Sequence, residues 1–301
     1  MTENNKIKNS QWAIVISIAL TPVMLYVMGL CLPKLPYSQM TMDAFWANKV
    51  SNPKKYDIIF IGDSRIYRGI NPSIVSEITK ASVLNYGFSA AGLDSILIDE
   101  GIKHLDPNGK KMLVFGISPS AFTNVAIKNE HFHSLKKINN KDLWIRKNLY
   151  PQLTYFDAFS LAEIKKHLNK EAYSQVCKAD GFIESNKSPS DSTAAISAYE
   201  DYFKHNAINE LQQQKFISLL QILQTKGIKC YAFRVPTTLP MTVLENSIFD
   251  NQLFKLKINQ TGAHWMAIPQ NGFESYDGSH LSGASANKLS QIVGDSILIY
   301  H

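Results

Sequence analysis

The sequence predicts an α/β fold, a three-layer α/β/α sandwich with a parallel sheet, preceded by one transmembrane helix. Three observations carry that expectation. Short apolar runs alternate with longer amphipathic ones, 45% of the residues are hydrophobic against 19% charged, and one long run near the N-terminus holds no charge. Strands alternating with helices imply parallel pairing through right-handed crossovers. The composition is that of a globular chain able to bury a full core, so one folded domain plus an anchor is the economical organisation.

Residues 1–11 form a polar tail carrying Lys6 and Lys8. Residues 12–32, WAIVISIALTPVMLYVMGLCL, contain no charged side chain and match the ~20 residues that cross a bilayer as a helix. Pro22 is tolerable there, because membrane helices can re-satisfy the carbonyl that a proline leaves unpaired. Lys6 and Lys8 outnumber Lys34 beyond the run, so the positive-inside rule puts the N-terminus in the cytoplasm and the rest in the periplasm or outside the cell. The run is longer than the apolar region of a cleaved signal peptide and lacks a small-x-small cleavage site. Leu30 before Cys31 is too large for a lipoprotein signal. Residues 33–53 read as a stalk, since Pro33 and Pro36 discourage continuation of the helix and no sustained periodicity is seen beyond them. The folded domain is expected over 54–301.

Residues 56–61 (YDIIFI), 81–86 (ASVLNY), 111–116 (KMLVFG) and 229–234 (KCYAFR) each read as a buried strand ending at a turn. Residues 93–104, 207–225 and 282–299 read as helices. Between the third and fourth strands lies an insertion, 119–224, far longer than the usual connection. Its aromatics Trp144, Tyr150, Tyr155 and Phe156 and its polar middle, 186–193, read as a partly helical cap with a mobile loop, part of which shapes the substrate site. Reactive groups in such sheets collect at the carboxyl ends of the strands.

The net charge of +6 would suit an anionic membrane or an acidic polymer, but the Lys and Arg are scattered, and the densest basic stretch, 136–147, reads as a solvated face. There is no zinc-finger spacing, RNP-like motif or heptad run, which argues against nucleic acid as a partner. Of the three cysteines, Cys177 and Cys230 could pair in an oxidising compartment or stand as separate buried thiols. His131-Phe132-His133 has no carboxylate or cysteine cluster beside it, so it reads as an ordinary loop and no metal is expected.

Gly62-Asp63-Ser64-Arg65 directly follows the first strand. A serine at a strand-to-helix turn exposes its hydroxyl at the sheet edge and leaves its own N–H free for a developing oxyanion. Tyr276-Asp277-Gly278-Ser279-His280-Leu281 precedes the last helix. A serine needs a base, and an imidazole needs a partner that fixes its tautomer; Asp-x-x-His supplies both from one short segment. The bland alternative is helix capping by Asp277 or Ser282. Ser89, in G-F-S-A-A, is the rival nucleophile, but an α/β-hydrolase usually places its acid well before its histidine. Arg65 and Arg68 are candidates for holding an anionic substrate group, with structural ion pairing as the alternative; Ser64 and Arg68 share a face if that turn is helical. Arg234-Val235-Pro236 lies at a strand end and lines either a pocket rim or a plain turn. Trp265 reads as core or cap packing, with a sugar platform as the alternative.

G-D-S after the first strand and D-G-x-H-L-S near the C-terminus resemble blocks I and V of the SGNH/GDSL hydrolase superfamily, over about 56–300 with the insertion unmatched. The resemblance implies a flavodoxin-like fold, with Ser64 as nucleophile, Asp277 as orienter and His280 as base. It implies an oxyanion hole from Ser64, the Ala90 N–H at the family's glycine position, with Gly87 and Gly92 as alternatives, and Ser118 in place of the usual asparagine. The anchor, G-D-S-R and G-x-S-P are similar to membrane-associated SGNH-like envelope proteins, including D-alanine transfer proteins of teichoic acid and polysaccharide O-acetyltransferases. That likeness implies an acyltransferase or esterase needing no cofactor, acting on an acyl donor and a glycan or small ester acceptor, with a multi-spanning membrane acyltransferase as a candidate partner. The alternative is a non-catalytic scaffold that binds a polysaccharide or such a partner.

Overall fold

A computed structural model describes residues 3–31, 40–153 and 172–300. Its centre is a five-stranded, wholly parallel sheet ordered β2-β1-β3-β6-β7, formed by β1 (Ile58–Gly62), β2 (Val83–Gly87), β3 (Met112–Ile117), β6 (Lys229–Arg234) and β7 (His264–Trp265). β4 (Ala172–Cys177) and β5 (Ile183–Ser188) form a separate antiparallel pair. β1, β2 and β3 are buried along their whole length, as strands covered on both faces must be.

Alternate side chains enter two cores. Ile59, Ile61, Leu113 and Phe115 pack with α2 (Met42–Ser51), α5 (Ser95–Ile102), α8 (Glu210–Thr225) and α10 (Asn251–Gln260) through Trp46, Leu97, Phe216 and Phe254. Ile58, Phe60, Met112 and Val114 face α3 (Ser64–Gly69), α4 (Pro72–Thr79) and α11 (Gly283–Tyr300) through Ile66, Val75 and Leu289. The sheet therefore lies between two helical layers, the arrangement that period-two burial of the strands requires.

The segment expected to be a stalk departs from that reading. Thr41 caps α2 by accepting from the Ala44 N–H at 3.1 Å, and Ala44, Phe45, Trp46, Ala47 and Lys49 are buried. The folded body thus begins before residue 54; Pro33 and Pro36 lie outside the described residues. α1 runs Glu3–Cys31 with Pro22 inside it. Among the described residues no helix is long and apolar enough to cross a membrane; the expected run ends at Leu32, which lies outside them. The described side chains along α1 include exposed Trp12, Ile14, Val15, Ile16, Ile18 and Leu20.

The insertion holds α6 (Glu130–Lys136), short helical turns over 140–153, the β4–β5 hairpin, α7 (Ile196–His205) and α8. Tyr155 and Phe156 lie outside the described residues. The basic stretch docks onto the body: Lys136 reaches Glu100 at 2.8 Å, Arg146 reaches Asp43 at 2.7 Å and Lys147 reaches Ser51 at 3.2 Å. Cys177 and Cys230 are separate free thiols, and burial pushes them up to about 11 and about 12. His131 and His133 sit on a helix, not a loop, and no metal-binding group occurs among the described residues. Trp265 is core.

Candidate active site

Three segments meet at the carboxyl ends of β1, β2 and β3. Asp63 directly follows the first strand and caps α3, its Oδ1 accepting from the Arg65 N–H at 2.9 Å. The cap turns the chain sharply and leaves Ser64 in the first turn, half-buried at the sheet edge. The Ser64 N–H has no partner among the described residues.

His280 Nε2 lies 2.8 Å from Ser64 Oγ, and His280 Nδ1 lies 2.7 Å from Asp277 Oδ2. The other Asp277 oxygen accepts from the backbone N–H groups of Ser279, at 2.9 Å, and His280, at 2.8 Å. Burial pushes the Asp277 carboxyl up, but the hydrogen bond and charge of His280, together with those two N–H groups, hold it below the usual carboxylate range. Gly278, between acid and base, has φ +97°, and a Cβ there would lie 2.3 Å from the Ser192 carbonyl oxygen. The insertion lies that close: Asp191 N–H donates to the Tyr276 carbonyl at 3.0 Å and Ala195 N–H to the Asp277 carbonyl at 2.9 Å. Its polar middle therefore braces the acid–base segment.

The three backbone candidates for the oxyanion hole separate by what their N–H groups already do. Gly87 donates to Asn85 Oδ1 at 3.1 Å, and Gly92 to the Ala126 carbonyl and Asn129 Oδ1, each at 3.0 Å. The Ala90 N–H has no partner among the described residues, and Ala90 takes φ +50°, the left-handed region that favours glycine. Ser118 does not fill the donor role expected of it. It is wholly buried, and its single hydroxyl proton goes to Asp63 Oδ2 at 2.5 Å, so it supports the carboxylate that caps α3.

The two arginines part company. Arg65 is 1% exposed and is not a substrate contact. Its Nη2 lies 2.7 Å from Glu245 Oε1, an ion pair off the N–H axis, and its Nε donates to Ser279 Oγ at 3.1 Å. Arg234, the expected rim residue, is also buried and donates to Glu245 Oε2 at 2.6 Å. Burial alone would raise Glu245; the two guanidiniums hold it below the usual range. Arg68 is half-buried and binds the hairpin through Tyr173, Ser185 and Gln175. Glu245 and Ser279 escaped the sequence reading because their roles appear only when α9 (Leu239–Asn246) and the acid–base segment meet α3. Ser89 engages the Tyr67 hydroxyl and has no base partner among the described residues.

No known protein family matches the chain, and no curated protein does. Among solved structures it is similar to a Streptococcus pneumonia chain provisionally described as a platelet activating factor, at 9% identity and a TM-score of 0.39 over 99% of each chain. A likeness at that level bears on neither fold nor function.

Proposed function

We propose that the chain is a membrane-anchored serine acyl-ester enzyme of the SGNH kind, an esterase or O-acyltransferase acting on a cell-envelope glycan. The observation that carries this reading is the continuous relay from Asp277 through His280 to Ser64. In it, Ser64 Oγ attacks the acyl carbonyl as its proton passes to His280 Nε2, and Asp277 holds the opposite nitrogen and stabilises the imidazolium. The oxyanion forms toward the Ser64 and Ala90 N–H groups. Collapse expels the alcohol, which takes the proton back from His280, and the acyl group on Ser64 then passes to a glycan hydroxyl or to water. No metal or cofactor enters these steps.

The order β2-β1-β3-β6-β7 supports the flavodoxin-like reading of the sheet. The charge-free run 12–32 of the sequence supports an anchor in the cell membrane, with the site on the periplasmic or outer side. Transfer to a glycan would then draw on a membrane acyl donor, supplied by a multi-spanning partner. The test is labelling of the detergent-solubilised chain with a fluorophosphonate, read by peptide mass. We expect an adduct on Ser64 that disappears in Ser64→Ala and falls at least about 10³-fold in rate in His280→Ala. No adduct under conditions that label a control esterase would sink the reading.

A second reading, a non-catalytic scaffold binding a polysaccharide or an acyl-transfer partner, is favoured by Ser118. With its proton committed to Asp63, Ser118 does not serve as a side-chain oxyanion donor, a loss worth about 10² to 10³ in rate elsewhere. Glycan binding without labelling of Ser64 would select it.

A further inference from the structure

We propose that Arg68 recognises a negatively charged group, a carboxylate or phosphate, on the ester that reacts at Ser64. The inference rests on the enzymatic reading and adds a substrate class to it.

Arg68 follows Ser64 by four residues on α3, so the two side chains share one helical face. Its Nη1 donates to Tyr173 Oη at 3.0 Å and to Ser185 Oγ at 2.5 Å, its Nη2 donates to Gln175 Oε1 at 3.4 Å, and its guanidinium lies 5.2 Å from the Tyr67 ring centre. Every one of these partners is neutral. The other two guanidiniums at the site share the Glu245 carboxylate, whereas among the described residues no carboxylate pairs with Arg68. A partly buried cation is costly to leave without a counter-charge, and a guanidinium fork matches carboxylate and phosphate in two-point contact.

The position is also that of a substrate contact. Tyr173, which orients the fork, lies 5.9 Å from the Tyr276 ring, and Tyr276 stacks on His280 at 5.8 Å. Tyr67, under the guanidinium, also lines a cleft of about 370 Å³ with Ser89, Ala90, Glu130 and His131. An ester held at Ser64 thus meets a fixed positive charge one helical turn away on α3. Neutral hydrogen bonds from the hairpin hold the fork in place without cancelling its charge.

The experiment compares hydrolysis of phenyl acetate, 3-acetoxybenzoate and phenyl hemisuccinate by the detergent-solubilised full chain, with inorganic phosphate as a competitor. We expect at least about tenfold higher kcat/KM for one of the two anionic esters, expressed mainly in KM, and competitive inhibition by phosphate. Whichever anionic ester wins identifies the side of the scissile bond that carries the charge. Arg68→Gln should abolish both the preference and the phosphate inhibition, and Arg68→Lys should keep part of each. Equal kcat/KM for all three esters in the wild type overturns the proposal, as does a preference that survives in Arg68→Gln. The wild-type comparison stands by itself if Arg68→Gln fails to fold. Should Ser64 prove unreactive, the enzymatic reading fails separately, and calorimetry with phosphate still decides the anion site. Heat lost in Arg68→Gln supports it, and no heat with the wild type overturns it.

Discussion

An imidazole can take a proton from Ser64 only if Nε2 is bare and Nδ1 carries the hydrogen, and the 2.7 Å contact with Asp277 selects that tautomer. Asp277→Asn removes the preference while keeping the shape, so kcat for ester hydrolysis should fall by about 10³ to 10⁴ with little change in KM. The same carboxyl links stability to pH. Its value is lower folded than unfolded, so the stabilisation is fully present above the unfolded value, ~3.9, and is lost as pH falls through the folded one. Urea midpoints measured from pH 6 downward should show the wild-type advantage over Asp277→Asn shrinking below about pH 4. Ala90 is strained in the opposite sense. A left-handed non-glycine residue costs about 1–2 kcal/mol, and glycine's greater unfolded-state freedom returns part of that. Ala90→Gly should therefore raise stability by up to about 1 kcal/mol in urea titrations and leave the Ser64 labelling rate within a few-fold.

Among the elements, α2 shows most clearly what sequence patterning misses. MDAFWANKVS mixes apolar, polar and charged positions, and a segment placed after two prolines reads as a spacer. Its lysine is buried: Lys49 Nζ donates to the Gly87 carbonyl at 2.8 Å and the Gly181 carbonyl at 3.0 Å, and lies 4.8 Å from the Phe45 ring centre. Burial pushes this ammonium well below the usual lysine range. An interior lysine satisfied by distant carbonyls has no local signature. A chain shortened to start at residue 54 should accordingly lose more stability than one starting at residue 40, and Phe45→Ala alone should cost about 3–5 kcal/mol by urea denaturation. β7 was missed because two residues show no period, and the β4–β5 hairpin because SQ and ESNKS read as loop. The four long strands and the helices α5, α8 and α11 were legible because each carries a continuous apolar run or a clear helical period.

Across the whole molecule, legibility tracks distance along the chain. Ser64 and the Asp277–His280 pair could be picked out because each motif is compact and the chemistry restricts the residue types. Charge compensation is not compact. That Glu245 neutralises Arg65, and that Ser118 turns to Asp63, depends on contacts between segments far apart in sequence, so these two donors were given substrate and oxyanion roles that the fold assigns elsewhere. The hydrogen bond between His280 and Ser64 spans a sequence separation of 216 residues. Ser64 therefore leaves the ribosome long before its base. On the proposed reading the serine stays an ordinary alcohol until the segment carrying Asp277 and His280 has been made and has docked, so a chain that stops short of it neither consumes acyl donors nor acylates itself. On the proposed reading, reactivity arrives only with that segment, a safeguard built into the order of synthesis.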